Sequence, residues 1–352
     1  MKIFLESHNI NNPFTGFGQF NLHLLKGFYN AKDPDIHFTV HTQKRGFLKQ
    51  LFGNYFSYKY YFGGRRYPFF QIRKKYDIWH SLNQNTKIEP KRDLPYILTV
   101  HDVNFVDEIS NDITHPRNLQ FIEKLKRANA ITYISEYAKK STHDFFDVPN
   151  VPEHVIYNGN PIMETLDTSQ VNPPKELTKK YLYTIVDFRA RKNFHLLVEM
   201  MQYLPDYQLV IAGNDTRSYG NDVRAAIEKF GVSNQVLLVG KVDDETKQYY
   251  FQNCHAFVFP SLREGFGLPP IEAMTFGKPV FLAHMTSLPE IGGTHAFYWH
   301  DLTPKNMANV FKDGLNTFAD NQEFYETEYK KQAAKFNWDT TAKAYIDLYK
   351  SI

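Results

Sequence analysis

The stretch SLREGFGLPPIEAMTFGKPV, from Ser261 to Val280, decides the fold that we predict for this chain. It follows the strand-like apolar run AFVFP and opens into a glycine turn. Pro269 and Pro270 come next, where a helix can start, because proline is tolerated in the first helical turn. The sequence GKP then ends the helix, and a second apolar run begins at Val280. The stretch therefore predicts a strand, a glycine turn, a helix and a second strand in succession.

Two carboxylates flank this glycine turn, Glu264 at its start and Glu272 eight residues later. Gly265 and Gly267 let the backbone approach a ligand, and the free N–H groups of a helix start favour anions such as phosphate. Because a carboxylate does not bind that phosphate, we expect Glu264 and Glu272 to accept hydrogen bonds from sugar or ribose hydroxyls. A site for phosphate and polyol together indicates a nucleotide-sugar. For the two glutamates alone, a solvated pair at a helix start is the simpler interpretation.

The segment EGFGLPPIEAM, from Glu264 to Met274, resembles the signature of the retaining glycosyltransferases of family 4, the glycosyl transferases group 1, which have the GT-B fold. The flanking sequences FVFPS, GKPV and SLPE strengthen this resemblance, which is most specific from Ile185 to Glu290 and covers most of the chain. It implies an α/β protein of two doubly wound Rossmann-like domains that face a cleft, with a C-terminal helix that crosses back to the first domain. Alternating strand and helix patterns in both halves favour the same fold class.

A chain of 352 residues is long enough for two domains that each bury a core. We expect an acceptor-binding domain at residues 1–165 and a nucleotide-sugar-binding domain at residues 166–335. Residues 161–180 mix Pro, Thr, Ser and Lys without periodicity, which is typical of a linker. Apolar side chains at helical spacing predict a final helix at residues 336–352, which the resemblance implies will pack back on the first domain.

Composition narrows the class of protein. The formal net charge is only +3, so nothing global argues for a nucleic acid partner. The single cysteine, Cys254, excludes an internal disulfide and fits a reducing compartment, and its context predicts a small buried residue. The first residues are typical of a strand rather than a signal peptide, and we find no apolar run long enough to span a membrane. We therefore expect a cytoplasmic protein, either free or peripheral on the inner face of the cytoplasmic membrane.

A basic pair, Arg191-Lys192, lies between the strand-like run that ends at Val186 and a helix pattern. An Arg guanidinium can donate to two oxygens at once and a Lys ammonium is a compact positive charge, so the pair suits a diphosphate. A solvated basic turn is the simpler interpretation. The pair resembles the donor site of the family, which usually has a glycine near Val186 that is absent here. The strand-like run QLVIAG ends at Gly213, and the resemblance implies that loops after such strands hold the base.

The resemblance implies specific contacts with the donor. Arg191 and Lys192 would hold the diphosphate, Glu264 would accept from sugar hydroxyls and Glu272 from the ribose. The backbone amides of the turn would contact phosphate and sugar oxygens, namely those of Gly265, Phe266, Gly267 and Leu268. Since GT-B enzymes generally neutralise the leaving diphosphate with a helix dipole, Arg and Lys, we expect no metal and no cofactor beside the nucleotide-sugar co-substrate, a GDP- or UDP-sugar.

The N-terminal half offers two further candidates at strand ends. Gly16 and Gly18 lie between the first strand pattern and the first helix pattern, where doubly wound folds bring a ligand to the sheet. They resemble the first glycine loop of the family, although a Gly-x-Gly pair alone is more often a plain turn. The run YILTVHDVNF resembles the segment whose His lines the site near the transferred sugar, which makes His101 a candidate catalytic residue. Asp102 either orients His101 or caps the next turn.

Residues 43–75 hold nine Lys or Arg, eleven aromatic residues and no Asp or Glu. Basic groups attract anionic headgroups and aromatic rings settle at the membrane interface, so one hypothesis is docking to a membrane that presents a lipid-linked acceptor. The equal alternative is an ordinary basic face with its aromatic rings in the core. RNA binding is disfavoured, because no RNA-binding motif accompanies the segment.

The resemblance implies transfer of a hexose with retention at the anomeric carbon. Our first expectation is mannose from GDP-mannose, moved to a glycan or lipid-linked oligosaccharide acceptor of bacterial O-antigen, capsule or exopolysaccharide. Alternatives are a UDP-sugar-using glucosyl-, galactosyl- or N-acetylhexosaminyltransferase, a sugar-nucleotide epimerase and a non-catalytic sugar-nucleotide-binding protein. A phosphorylase would require a lysine for pyridoxal phosphate, for which we find no context. Attack by the acceptor on the face that the leaving group vacates is preferred over a covalent enzyme intermediate, as the resemblance implies.

Overall fold

A computed structural model describes residues 1–13, 15–91, 93–185 and 187–352 of the chain. These residues divide into two compact units. Unit 1 contains Met1–Gly159 and Asn337–Ile352, and unit 2 contains Asn160–Phe336. The division therefore falls after Gly159, a few residues before the boundary expected at residue 165, and the return to unit 1 begins after Phe336.

Unit 1 is built on a parallel sheet of seven strands. The strands are β1 (Lys2–Glu6), β2 (His37–Thr42), β3 (Ser57–Tyr60), β4 (Ile78–Ser81), β5 (Tyr96–Val100), β6 (Ala130–Tyr133) and β7 (Glu153–Val155). Their order across the sheet is β3-β2-β1-β4-β5-β6-β7. The central strands β4, β5 and β6 are buried along their whole length, as parallel strands covered on both faces must be.

Unit 2 repeats this plan with a parallel sheet of six strands. The strands are β8 (Lys180–Ile185), β9 (Tyr207–Ala212), β10 (Val236–Gly240), β11 (Ala256–Phe259), β12 (Val280–Ala283) and β13 (Phe297–Trp299). Their order is β10-β9-β8-β11-β12-β13. In both sheets the strand order reverses beside the first strand of the unit, which is the doubly wound arrangement. The predicted fold class, two Rossmann-like domains of the GT-B type, is confirmed.

Helices follow most of the strands. In unit 1 they are α1 (Gly16–Ala31), α2 (Arg45–Phe52), α3 (Phe105–Glu108), α4 (Pro116–Arg127) and α5 (Glu136–Phe145). In unit 2 they are α6 (Phe194–Met200), α7 (Ser218–Lys229), α8 (Asp244–Asn253), α9 (Leu268–Thr275), α10 (Leu288–Gly292), α11 (Pro304–Asp320) and α12 (Gln322–Ala334). Along the described parts of the chain, none of the helices combines the length and apolar character that crossing a bilayer requires.

The last helix, α13 (Trp338–Ser351), belongs to unit 1 and packs against α1. The Asn337 side chain caps its start by accepting from the Asp339 amide at 2.8 Å. Gly27 permits the close approach, because a Cβ there would lie 2.7 Å from the Cβ of Ala342. The chain thus ends on the unit where it began.

Two predicted features touch residues outside the described ranges. The run expected to end at Val186 forms β8, whose last described residue is Ile185, and Val186 itself lies outside those ranges. Phe14, in the first glycine loop, also lies outside the described ranges. Cys254 is buried as predicted, and burial raises the pKa of its thiol to about 12.

Candidate active site

The switch point of the unit 2 sheet gathers the predicted donor-binding loops. Strand β8 pairs with β11, so the loop after β8, with Arg191 and Lys192, lies beside the loop after β11, with Glu264. The two loops are tied together, because the Leu262 amide donates to the Arg191 carbonyl at 2.9 Å. Ligands of doubly wound sheets bind at this edge. Residues about seventy positions apart in sequence thereby become neighbours.

Glu264, Lys192 and Arg191 form an ion cluster at this edge, in which Lys192 is buried and the other two side chains are partly buried. The Lys192 ammonium donates to Glu264 Oε1, and Arg191 Nη1 lies 3.8 Å from Glu264 Oε2. Burial alone would raise the pKa of Glu264, but the Lys192 ammonium and then the Arg191 guanidinium outweigh it and lower that pKa. The carboxylate is therefore ionised. The sequence assigned Arg191 and Lys192 to the diphosphate and Glu264 to the sugar, and the structure brings the carboxylate into contact with both cations.

The turn that starts α9 is held by the side-chain hydroxyls of Thr286 and Ser287. The Glu264 amide donates to Thr286 Oγ1 at 3.0 Å, and the Ser287 hydroxyl donates to the carbonyl of Phe266 at 2.6 Å. Gly267 precedes α9 with φ near +121°, a conformation that side-chain-bearing residues avoid. Pro269 and Pro270 occupy the first helical turn, as predicted. The turn is thus held in one shape at a helix start.

Glu272 lies on α9 and is buried against a partner that the sequence did not reveal. Lys247 Nζ, on α8, donates to Glu272 Oε1 at 2.9 Å and also lies 3.1 Å from an Asp244 oxygen. Burial would lower the pKa of Lys247, but the Glu272 carboxylate raises it above its ordinary value. Lys247 is therefore a charged positioning group for Glu272. Because Asp244 and Glu245 lie near it in the sequence, the pattern is typical of a solvated helix face and did not single out Lys247.

Gly213 follows β9 with φ near +140°, which explains why a glycine stands there. Its amide donates to the Gly240 carbonyl at 2.8 Å, so it joins the ends of β9 and β10. The role of this loop in holding the base stays a prediction.

In unit 1, His101 follows β5 and is buried. Its Nε2 donates to the Leu82 carbonyl at 2.9 Å, and since a carbonyl only accepts, Nε2 carries the proton and Nδ1 is the basic nitrogen. The rings of Phe17 and Phe20, from α1, meet the imidazole edge-on with centroids 4.8 and 4.6 Å away. Burial lowers the pKa of His101 to about 4, so the imidazole is neutral at neutral pH. Asp102 Oδ1 accepts from the Asn104 amide at 3.1 Å and thus caps the next turn.

Gly16 and Gly18 form the first turn of α1, the helix that carries the two phenylalanines beside His101. Thr15 caps the helix by accepting from the Gly18 amide at 3.2 Å. A Cβ on Gly18 would lie 2.0 Å from the Asn12 carbonyl oxygen, so the loop itself requires glycine there. A Cβ on Gly16 would meet none of the described atoms within 4 Å. Contact of either glycine with the donor stays a prediction.

The side chains that could bind a metal ion are dispersed in the part of the chain that the structure describes. Within the described ranges, no three His, Cys, Asp or Glu side chains gather in the way that a metal ion needs.

Two parallel-sheet Rossmann-like units with this strand order define a protein of the GT-B class. The whole chain superposes on a crystal structure of Anabaena Alr3699/HepE in complex with UDP and glucose, with a TM-score of 0.74, 17% identity and complete coverage of both chains. Residues 167–336 match the family model described as Glycosyl transferases group 1, so the chain carries a glycosyltransferase domain of that family. These residues make up nearly all of unit 2.

Curated relatives support the same resemblance. The O-antigen chain mannosyltransferase B of Escherichia coli is 25% identical over 389 residues, covering 99% of this chain and 100% of the relative. The serotype-specific mannosyltransferase WbdA of Escherichia coli is 28% identical over 240 residues, covering 64% of this chain and only 29% of the relative. The chain therefore spans less than a third of WbdA. The family resemblance predicted from the sequence is confirmed.

Proposed function

We propose that this protein is a retaining glycosyltransferase that moves a hexose from a nucleotide-sugar to a glycan or lipid-linked oligosaccharide of a bacterial surface polysaccharide. Our first choice of donor is GDP-mannose, because both relatives named above are mannosyltransferases, one of them an O-antigen chain mannosyltransferase. The proposal includes retention at the anomeric carbon and independence from metal ions.

The observation that carries this proposal is the ion cluster of Arg191, Lys192 and Glu264 beside the start of α9. A nucleotide diphosphate brings negative charge to this edge, where the Arg191 fork and the Lys192 ammonium would receive it. Positive groups fixed in a water-poor site stabilise the charge that develops on a departing diphosphate. A metal ion is then not needed for that purpose.

Each carboxylate has a distinct place in the proposed complex. When Lys192 turns to the diphosphate, Glu264 loses its ammonium partner and its oxygens become acceptors for sugar hydroxyls. Glu272, fixed by Lys247, would accept from the ribose. The amides from Gly265 to Leu268 would contact phosphate and sugar oxygens at the helix start.

His101 would line the reacting face as a neutral acceptor. With its Nε2 proton held by the Leu82 carbonyl, Nδ1 can accept from a hydroxyl of the acceptor or from O6 of the sugar. We propose that the acceptor attacks on the face that the diphosphate leaves, so that the leaving phosphate takes the acceptor proton and the anomeric configuration is kept.

Thermal-shift measurements with GDP, UDP, ADP and their sugars test the donor, because a ligand at a hundred times its Kd adds about 2.7 kcal/mol to the stability of the folded state. We expect GDP and GDP-mannose to raise the Tm of the protein, and Lys192→Met to abolish the rise. Lys312→Met, at an exposed position of α11, is the matched control. No shift with any nucleotide would overturn the proposed function.

A UDP-hexose is the second candidate donor, because the superposed Anabaena protein holds UDP and glucose. A larger Tm rise with UDP-glucose than with GDP-mannose would select it. Incubation of each sugar nucleotide without acceptor separates transfer from epimerisation, since only an epimerase converts the donor alone. The anomeric proton coupling of the transferred sugar, measured by NMR, then tests retention.

A further inference from the structure

The basic and aromatic segment at residues 43–75 forms one edge of unit 1. It contains α2, the strand β3 and two 3-10 turns at Gly63–Arg66 and Pro68–Phe70. Strand β3 is the last strand of the sheet and pairs with β2 alone. We call the surface of residues 57–75 the β3 edge.

The aromatic residues of the segment divide into two groups. Phe52 and Phe56 are buried and belong to the core of unit 1, as the plainer interpretation of the sequence expects. On the β3 edge, however, Phe69 is 76% exposed and Tyr60 63% exposed, and Tyr67 and Phe70 are exposed as well. Exposing a large aromatic ring to water is unfavourable in free energy, and burial of the ring at an interface would remove that penalty.

The positive charges of the segment contact aromatic rings rather than carboxylates in the part of the chain that the structure describes. Among the described residues, none of its nine Lys or Arg side chains forms an ion pair with a carboxylate. Several lie over aromatic rings instead: Arg65 is 4.9 Å from the Phe62 centroid and Arg66 is 4.8 Å from that of Tyr67. Arg65 also donates to the Phe70 carbonyl at 3.3 Å, which fixes the turn. The β3 edge therefore presents ordered, uncompensated cations next to exposed rings.

A small basic pocket of about 80 Å³ continues this edge. Lys74, Lys75 and Lys91 line it together with Trp79 and Asp93. Three ammonium groups and one carboxylate give the pocket a net positive charge, which suits a phosphate group. Lys59 lies in the same positive electrostatic potential. Burial lowers its pKa, and the positive charges of Arg65 and Lys74 lower it further.

We propose that the β3 edge docks unit 1 on an anionic lipid surface. The exposed rings of Tyr60 and Phe69 would enter the interface between headgroups and acyl chains, where aromatic rings are favoured. The cations would neutralise headgroup phosphates, each adding to the attraction within a Debye length. This surface goes beyond the proposed transfer reaction and would bring the enzyme to acceptors carried on lipid.

Vesicle flotation of the full chain tests the proposal, with Arg73→Glu/Lys75→Glu as the charge variant and Tyr60→Ala/Phe69→Ala as the ring variant. These side chains are exposed and lie outside the proposed transfer site. Lys87→Glu/Lys343→Glu is the matched charge control, and Phe145→Ala/Phe324→Ala is the matched ring control, all four positions being exposed elsewhere. Arg65 is left unchanged because it holds the backbone of the edge.

We expect the protein to float with phosphatidylcholine vesicles that contain phosphatidylglycerol, and to stay unbound with phosphatidylcholine alone. Each test variant should weaken this binding at least about tenfold, since two cations are reversed or two rings are removed. Both control variants should bind as the parent does. Amide hydrogen exchange should slow in residues 57–75 when the anionic vesicles are added, and stay unchanged when neutral ones are added.

Equal binding to neutral and anionic vesicles, or equal loss in test and control variants, would overturn the proposal. So would binding to a duplex oligonucleotide without binding to vesicles, which would make the β3 edge a nucleic acid surface. Transfer to a water-soluble acceptor should stay normal in the test variants. Failure of docking is therefore distinguishable from failure of the proposed reaction.

Discussion

The pair of Lys192 and Glu264 is buried, and its two partners cannot be removed independently without penalty. Removing one partner leaves an uncompensated buried charge, at a cost of about 3–5 kcal/mol, whereas removing both leaves none. We therefore expect Lys192→Met and Glu264→Gln each to lower the free energy of unfolding, and the double variant to recover most of the loss. All three variants should lose transfer at least about a hundredfold, because the diphosphate loses its cation or the sugar its acceptor.

Denaturant titrations of the four proteins measure this coupling, and initial transfer rates measure the chemistry. Arg191, 3.8 Å from Glu264, offsets part of the loss in Lys192→Met, so Glu264→Gln, which leaves both cations without their carboxylate, should be the less stable single variant. Strictly additive losses of stability would show that the pair is uncoupled. Near-normal turnover of Lys192→Met would refute its role on the diphosphate.

Lys247 supports a second prediction, about positioning rather than contact. Lys247→Met leaves the buried Glu272 carboxylate without its ammonium, so we expect weaker nucleotide binding, seen as a KM for the donor raised at least about tenfold with a smaller change in kcat. Lys247→Arg keeps a cation in place and should restore most of the affinity. A merely structural role would lower Tm in both variants and leave the KM of the folded enzyme unchanged.

The sequence predicted residue types within contiguous motifs, but it did not predict their partners. Glu264 and Lys192 were both singled out, yet their contact joins loops 72 positions apart and depends on the pairing of β8 with β11. Lys247 was missed for a different reason, because its spacing on α8 fits a solvent-facing helix. Partners across a sheet are set by strand order, and no local pattern records that order.

At the scale of elements, α13 is fixed to unit 1 by hydroxyl groups as well as by apolar packing. The Tyr349 hydroxyl lies 2.6 Å from His80 Nδ1 on β4. The Tyr345 hydroxyl lies 3.3 Å from the hydroxyls of both Thr99 and Thr132, on β5 and β6. One helix is thereby tied to three neighbouring strands.

Tyr349→Phe tests this anchoring. It leaves a buried imidazole nitrogen without its partner, so we expect the free energy of unfolding to fall by about 1–3 kcal/mol. Urea titration, with Tyr60→Phe as the exposed control, measures the difference. An unchanged midpoint for Tyr349→Phe would mean that apolar packing alone holds α13.

Prediction of elements succeeded where a pattern was long or carried a signal at its ends. The runs that became β11 and β12 are apolar throughout, and the prolines after Gly267 marked the start of α9. The three residues of β13 are too few to show a periodicity, so only pairing with β12 makes them a strand. The boundary of unit 1 fell before the linker pattern, because a chain leaves a domain where contacts end rather than where composition changes.

At the scale of the whole molecule, unit 1 carries two buried histidines whose neutral state makes stability depend on pH. Burial lowers the pKa of His80 to about 3 and that of His101 to about 4, from an ordinary value of 6.5. Below pH 6.5 and above the folded pKa of each histidine, the unfolded chain binds a proton there that the folded unit does not. The free energy of unfolding therefore falls as the pH is lowered from 6.5. From pH 6.5 to 4.5 each histidine should lower the free energy of unfolding by roughly 2 kcal/mol.

This window isolates the histidines from the buried Glu6. The paired Glu6 carboxylate has a lowered pKa, so its contribution is lost only as the pH falls below the unfolded value of 4.5. Urea unfolding at pH 6.5, 5.5 and 4.5, followed by hydrogen exchange in unit 1 peptides, measures the slope. His101→Gln keeps a donor for the Leu82 carbonyl but cannot titrate, so it should flatten the slope by about half, while His37→Gln, at an exposed position, should not change it. A slope unaffected by His101→Gln would mean that His101 is protonated in the folded unit, and its proposed role as a neutral acceptor would then be wrong.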